Sequence, residues 1–133
     1  NFANVREWKK MGLNCFIGSS MLMLPALTIG AVGCIDGPPC AAPELWVAIW
    51  ESWKSGDIDQ AIAAQDRASS FTDIMRETGV HSGTKAVLTE RLGIDCGSGR
   101  LPNPPLEGTR RTEVLSRVAA MGIGPVPIPS SGD

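Results

Sequence analysis

The chain has 133 residues, 43% of them hydrophobic, enough to bury a core and short enough to suggest one domain. A net charge of −2 argues against nucleic acid or an anionic membrane as partner. No apolar run reaches the ~18 residues needed to span a bilayer, and no basic-then-apolar signal segment opens the chain; a cytoplasmic location is expected from cysteines that read as reduced thiols.

Phe2, Val5, Trp8 and Met11 recur every third residue and predict a helix, with Asn1 as its cap and Gly12 as its stop. Leu13–Ile17 is a short apolar run that stops at Gly18-Ser19-Ser20. Ala31–Ile35 is a second, stopping at Asp36-Gly37. Short apolar runs bounded by Gly and Ser suit strands buried on both faces. Met21–Ile29, between them, is too long for a hairpin turn and suits one crossover helix. The segment therefore reads as a β-α-β unit, in which ligands bind at the carboxyl ends of the strands. Those ends are Gly18-Ser19-Ser20 and Asp36-Gly37-Pro38.

Pro43 predicts the first turn of a helix running to Ser55 and closed by Gly56. Leu45, Ile49 and Trp53 share one face of it, with Trp46 and Trp50 on a neighbouring stripe, the pattern of a core or a subunit interface. Asp57 caps a long helix, Ile58 to Thr78, with Ile58, Ile62, Phe71, Ile74 and Met75 as apolar positions. Ser82 caps a helix from Thr84 to Leu92, which leaves His81, the only histidine, in a surface turn. Residues 94–108 read as a wrapped loop. Thr109 caps a last helix ending at Met121, with Val114, Leu115, Val118 and Met121 inward, and the proline-rich tail from Gly124 reads as extended or disordered. Cys15, Cys34, Cys40 and Cys96 form no Cys-x-x-Cys pair and read as reduced, small core hydrophobes; neither a metal nor a cofactor is expected.

Gly18 through Gly37 resembles, without a gap, the seventh strand, seventh helix and eighth strand of the dihydrodipicolinate synthase and N-acetylneuraminate lyase family. Glu44-Leu45-Trp46 to Ser55-Gly56-Asp57 is similar to its eighth barrel helix and the Gly-Asp turn after it. Gly83-Thr84-Lys85-Ala86-Val87-Leu88 with Gly93-Ile94 resembles its Pro-x-Lys-Ala-Ala-Leu…Gly segment, and Arg100-Leu101-Pro102 with Pro105-Leu106 its Arg-x-Pro…Pro-Leu loop. The order and spacing hold to about Ile123. The fold implied is α/β, the C-terminal part of a (β/α)8 barrel followed by a three-helix bundle. Residues 1–56 would be the last barrel units, 57–123 the bundle and 124–133 a tail. Two strands alone leave open edges and uncovered apolar surface, so the expectation is a fragment whose partner is the N-terminal part of the same barrel.

The resemblance implies a lysine that forms a Schiff base with pyruvate or another 2-oxo acid, placed about five residues before Asn1. None of the four lysines here, Lys9, Lys10, Lys54 and Lys85, takes that position, so no catalytic residue is expected in this chain. What the chain would supply is substrate binding. Gly18 aligns with a glycine whose backbone approaches the substrate, and Ile35 with a residue that packs beside the Schiff base and offers its carbonyl. Ser19 and Ser20 stand where such enzymes commonly carry acidic residues, which implies a substrate other than sialic acid; either serine could equally cap the next helix. Asp36 could orient a water or a substrate hydroxyl, or bond its own turn. A homotetramer, arranged as a dimer of dimers, is implied. The alternative to a lyase is a non-catalytic helical module docking through its Trp-rich helix.

Overall fold

The computed structural model describes residues 2–127, and the chain divides into two compact units, Asn1–Thr72 and Asp73–Asp133. The division falls inside a helix. The expected cap Asn1 and the tail beyond residue 127 lie outside the described residues.

In the first unit, α1 (Asn4–Lys10) precedes β1 (Phe16–Ile17), a 3-10 turn at Ser20–Leu22, α2 (Met23–Thr28) and β2 (Gly33–Cys34). A second 3-10 turn at Pro38–Cys40 leads into α3 (Pro43–Ser55) and then α4 (Ile58–Thr78). β1 and β2 pair in parallel, Phe16 opposite Gly33 and Ile17 opposite Cys34. The β-α-β order is therefore present, but each strand has only two residues where five were expected. Nor is the sheet buried on both faces: Phe16 in β1 is 52% exposed, and Ile35, just past β2, is 69% exposed. A two-stranded sheet covers itself on one side only, where Val5, Cys15, Ala26 and Ala31 form a small core.

The stripe on α1 is also narrower than expected. Val5 is buried, whereas Phe2, Trp8 and Met11 are exposed. A strict three-residue spacing drifts about 60° around a helix at each step, so Phe2 and Met11 end on opposite sides. On α3, Leu45, Trp46 and Ile49 are buried, and Gly56 closes the helix in the left-handed region at φ 84°. On α4 the inward row is Ala61, Ala64, Ala68, Phe71 and Met75, while Ile58 and Ile62 are exposed. Alanines allow close approach of the helix, and position on the helical face outweighs side-chain hydrophobicity. Phe71 meets Trp46 edge-on, with ring centres 6.2 Å apart.

The second unit holds the end of α4, then α5 (Val80–Leu92) and α6 (Gly108–Ala120). α5 begins four residues before the expected Thr84, so His81 lies in its first turn and not in a loop. Ser82 does not cap it; its hydroxyl donates instead to the Pro104 carbonyl at 2.5 Å. α6 buries Val114 and Val118 and leaves Leu115 and Met121 half-buried. Glu107, not Thr109, occupies its N-cap position. No helix among the described residues is long and apolar enough to cross a membrane.

Candidate functional site

The carboxyl ends of β1 and β2 lie side by side because the strands are parallel and adjacent. Val32 N–H donates to the Cys15 carbonyl at 2.8 Å and Ile35 N–H to the Ile17 carbonyl at 2.9 Å, which aligns the two ends in register. Gly18 and Ile35 are the first residues past each strand, and both are exposed. A Cβ added at Gly18 would have no atom within 4 Å, so the backbone there borders open space.

Asp36 joins the two ends. One carboxylate oxygen accepts Gly37 N–H at 2.8 Å, its own turn; the other accepts Ser20 N–H at 2.9 Å, across 16 residues. The capping role left open to Ser19 or Ser20 is thus taken by Asp36. Ser19 stands at the N-cap position of the 3-10 turn without a side-chain bond, and its carbonyl accepts Leu22 N–H at 3.0 Å. Carboxylate-to-amide bonds are about twice as strong as neutral ones, so one side chain stitches both loops.

Ser20 is the fixed point of this arrangement and is fully buried. Its carbonyl accepts Trp46 Nε1–H at 3.1 Å and Gln65 Nε2–H at 3.3 Å, while Gln65 Oε1 accepts Leu24 N–H at 2.9 Å. Its hydroxyl has no partner. Among the candidate residues, then, Gly18, Ser19 and Ile35 offer surface to a ligand, whereas Ser20 is sealed and Asp36 is engaged with the backbone. Trp46 and Gln65 were not among the expected site residues. The signal for Gln65 was available: it is a polar residue beside the inward alanine row of α4.

The thiols near this site are poor nucleophiles. Burial, and secondarily the Asp36 charge, push Cys34 up to about 11. Burial also raises Cys40, partly offset by a bond to its own backbone. Of the four cysteines only Cys15 is buried, so the expectation of core hydrophobes holds for that one alone; all four are free. No group of three or more metal-ligating side chains occurs among the described residues. The lysines have other surroundings. Lys10 pairs with Glu7 at 2.9 Å, Lys85 donates to the Cys96 carbonyl at 2.8 Å, and Lys9 lies against Gly30. Lys54 is exposed in the last turn of α3.

Residues 1–121 match the model of the Dihydrodipicolinate synthetase family. An uncharacterised DapA-like lyase of Halobacterium salinarum is 30% identical over 111 residues, covering 84% of this chain and 36% of that protein. A 4-hydroxy-tetrahydrodipicolinate synthase of Bifidobacterium animalis subsp. lactis is 35% identical over 100 residues, 74% of this chain and 33% of that protein. The chain thus spans about a third of the length of these relatives. Among solved structures, the Ruminococcus gnavus sialic acid aldolase superposes with a TM-score of 0.81 at 23% identity, over 91% of this chain and 42% of that one. A variant of the Sulfolobus solfataricus 2-keto-3-deoxygluconate aldolase gives 0.81 at 22% identity, over 92% and 42%. At such identities the likeness is one of fold.

Proposed function

Since the chain belongs to the dihydrodipicolinate synthetase family, we propose that the protein of which it forms part is a class I lyase acting on pyruvate or another 2-oxo acid through a lysine Schiff base. Under this reading β1 and β2 are strands seven and eight of a (β/α)8 barrel, and α4 to α6 form the bundle that follows. The observation that carries it is the clamp: one carboxylate holds the loops at the carboxyl ends of two adjacent parallel strands, which is where such folds bind ligands.

The lysine would come from sequence N-terminal to this chain, since by the family resemblance none of its own four takes the aligned position. Its amine, desolvated within the barrel, would attack the C2 carbonyl of the 2-oxo acid; loss of water then gives the imine. This chain's part would be to shape the wall. Gly18 would let the substrate pass close to the backbone, Ser19 would offer a neutral hydroxyl, and Ile35 would line the cavity beside the imine. Ser20 and Asp36, placed in the binding set on the sequence pattern, would act through the loop they hold. The exposed Phe16 and Ile35 and the open sheet edges would be covered by the remaining strands of the barrel, and a cytoplasmic homo-oligomer belongs to the same proposal.

Incubation of the complete protein with pyruvate and borohydride tests the reading, because reduction traps the imine as a stable secondary amine visible by mass. An adduct on a lysine outside residues 1–133 is expected. No adduct with pyruvate or any other 2-oxo acid tried would remove the proposal. The docking-module alternative loses Trp46, which is 4% exposed and bonded to Ser20, and retains only the Trp50–Trp53 pair at 5.5 Å.

A further inference from the structure

We propose that the cleft between the start of α5 and the 98–103 loop is a binding site for a small oxyanion, recognised through its carboxylate or phosphate group. The cleft has a volume of about 440 Å³ and lies wholly within the second unit. Three basic side chains line it: His81 and Lys85, four residues apart and so on one face of α5, and Arg100 from the loop. Ser98 and Asn103 add polar groups, and no Asp or Glu lines it among the described residues. In a chain of net charge −2 this is a local reversal of sign.

The basic groups are not used up internally. The Arg100 guanidinium and His81 imidazole make no hydrogen bond or ion pair among the described residues. Lys85 spends one ammonium hydrogen on the Cys96 carbonyl and keeps two. A guanidinium presents a planar fork that matches a carboxylate or phosphate in a bidentate manner.

The loop is also held in place before any ligand arrives. Cys96 N–H donates to Thr89 Oγ1 at 3.1 Å, Ser82 Oγ–H to the Pro104 carbonyl, and Asn103 N–H to the Arg100 carbonyl at 2.9 Å. The backbone comes so close to α5 at Gly99 that a Cβ there would sit 2.6 Å from Ser82 Oγ. Ties at both flanks lower the ordering cost of binding. Because His81 and Arg100 are exposed, binding will weaken with salt.

The test is calorimetric titration at low ionic strength with inorganic phosphate and, separately, with acetate, on the complete protein and on the His81→Gln/Arg100→Gln double variant. Both substitutions are at exposed positions outside the proposed catalytic wall, and a melting curve checks that the variant folds. Saturable binding of either anion, weakened at least about tenfold in the variant, is expected; which anion binds assigns the phosphate or carboxylate chemistry. Absence of saturable binding by both anions, or isotherms unchanged in the variant, would overturn the site and leave a merely solvated cluster of basic side chains. The Schiff-base proposal stands or falls separately, by the adduct.

Discussion

Two loop regions of this chain are tied down by opposite chemistry. At the strand ends of the first unit an acceptor does the work: the two oxygens of Asp36 take one amide hydrogen from each loop. In the 94–107 loop of the second unit, donors reach from α5, with Lys85 and Ser82 bonding the carbonyls of Cys96 and Pro104. The difference decides what each loop can offer. A carboxylate clamp brings a negative charge, spread into two N–H bonds, and leaves the bare backbone of Gly18 facing outward. A lysine clamp brings a positive charge and leaves Arg100 and His81 facing outward. The first arrangement suits a site whose cation comes from elsewhere; the second supplies its own.

The largest expected effect lies on the outward side of the acid clamp. If the lyase proposal holds and Gly18 borders the substrate, Gly18→Val should lower kcat/KM of the complete protein at least ~100-fold, or ~2.7 kcal/mol of transition-state stabilisation. Because a Cβ at this position meets nothing within 4 Å, the melting temperature should hardly move. Ser19→Ala, which removes one neutral hydroxyl, should cost only about 0.5–1.5 kcal/mol in activity. A fully active Gly18→Val enzyme, or one inactive only through unfolding, would place the substrate elsewhere.

Breaking the clamp itself should come next. Asp36→Ala strands the Ser20 and Gly37 amides and should destabilise the protein by about 2 kcal/mol, read from denaturant unfolding. Hydrogen exchange should speed up at Ser20 while the amide of Cys96, in the other clamp, keeps its protection. Equal loss of protection in both loops would show that the two regions do not respond separately.

The smallest effect should be at Ser20. Its buried hydroxyl has no partner, so Ser20→Ala should leave stability unchanged or raise it by up to about 1 kcal/mol. A loss above ~1 kcal/mol would mean that the hydroxyl is bonded after all, and that the fixed point of the acid clamp includes its side chain.

The helix limits were the most legible part, because they are set by neighbours in the chain. Pro43 and Gly56 bound α3, and the Asp57 carboxylate accepts Gln60 N–H at 3.0 Å at the start of α4, as the local pattern requires. The parallel β-α-β order was legible too, since Gly18 and Gly30 break the apolar runs. Ser82 shows where this kind of reading stops. Its hydroxyl suits a helix cap by sequence, but Pro104, 22 residues on, offers a carbonyl at 2.5 Å, and α5 starts earlier. Asp36 shows the same limit: a turn bond to Gly37 was readable, whereas the bond to Ser20 required the strands to pair first. Likewise, which apolar residues are buried depended on what each face meets, so Ala61 and Ala68 are fully covered while Ile58 and Ile62 remain half exposed. Short-range bonds depend on a few dihedral angles that the residues themselves restrict. Partners 16 to 45 residues apart are chosen only when packing brings them within 3 Å or so, and that choice belongs to the tertiary structure.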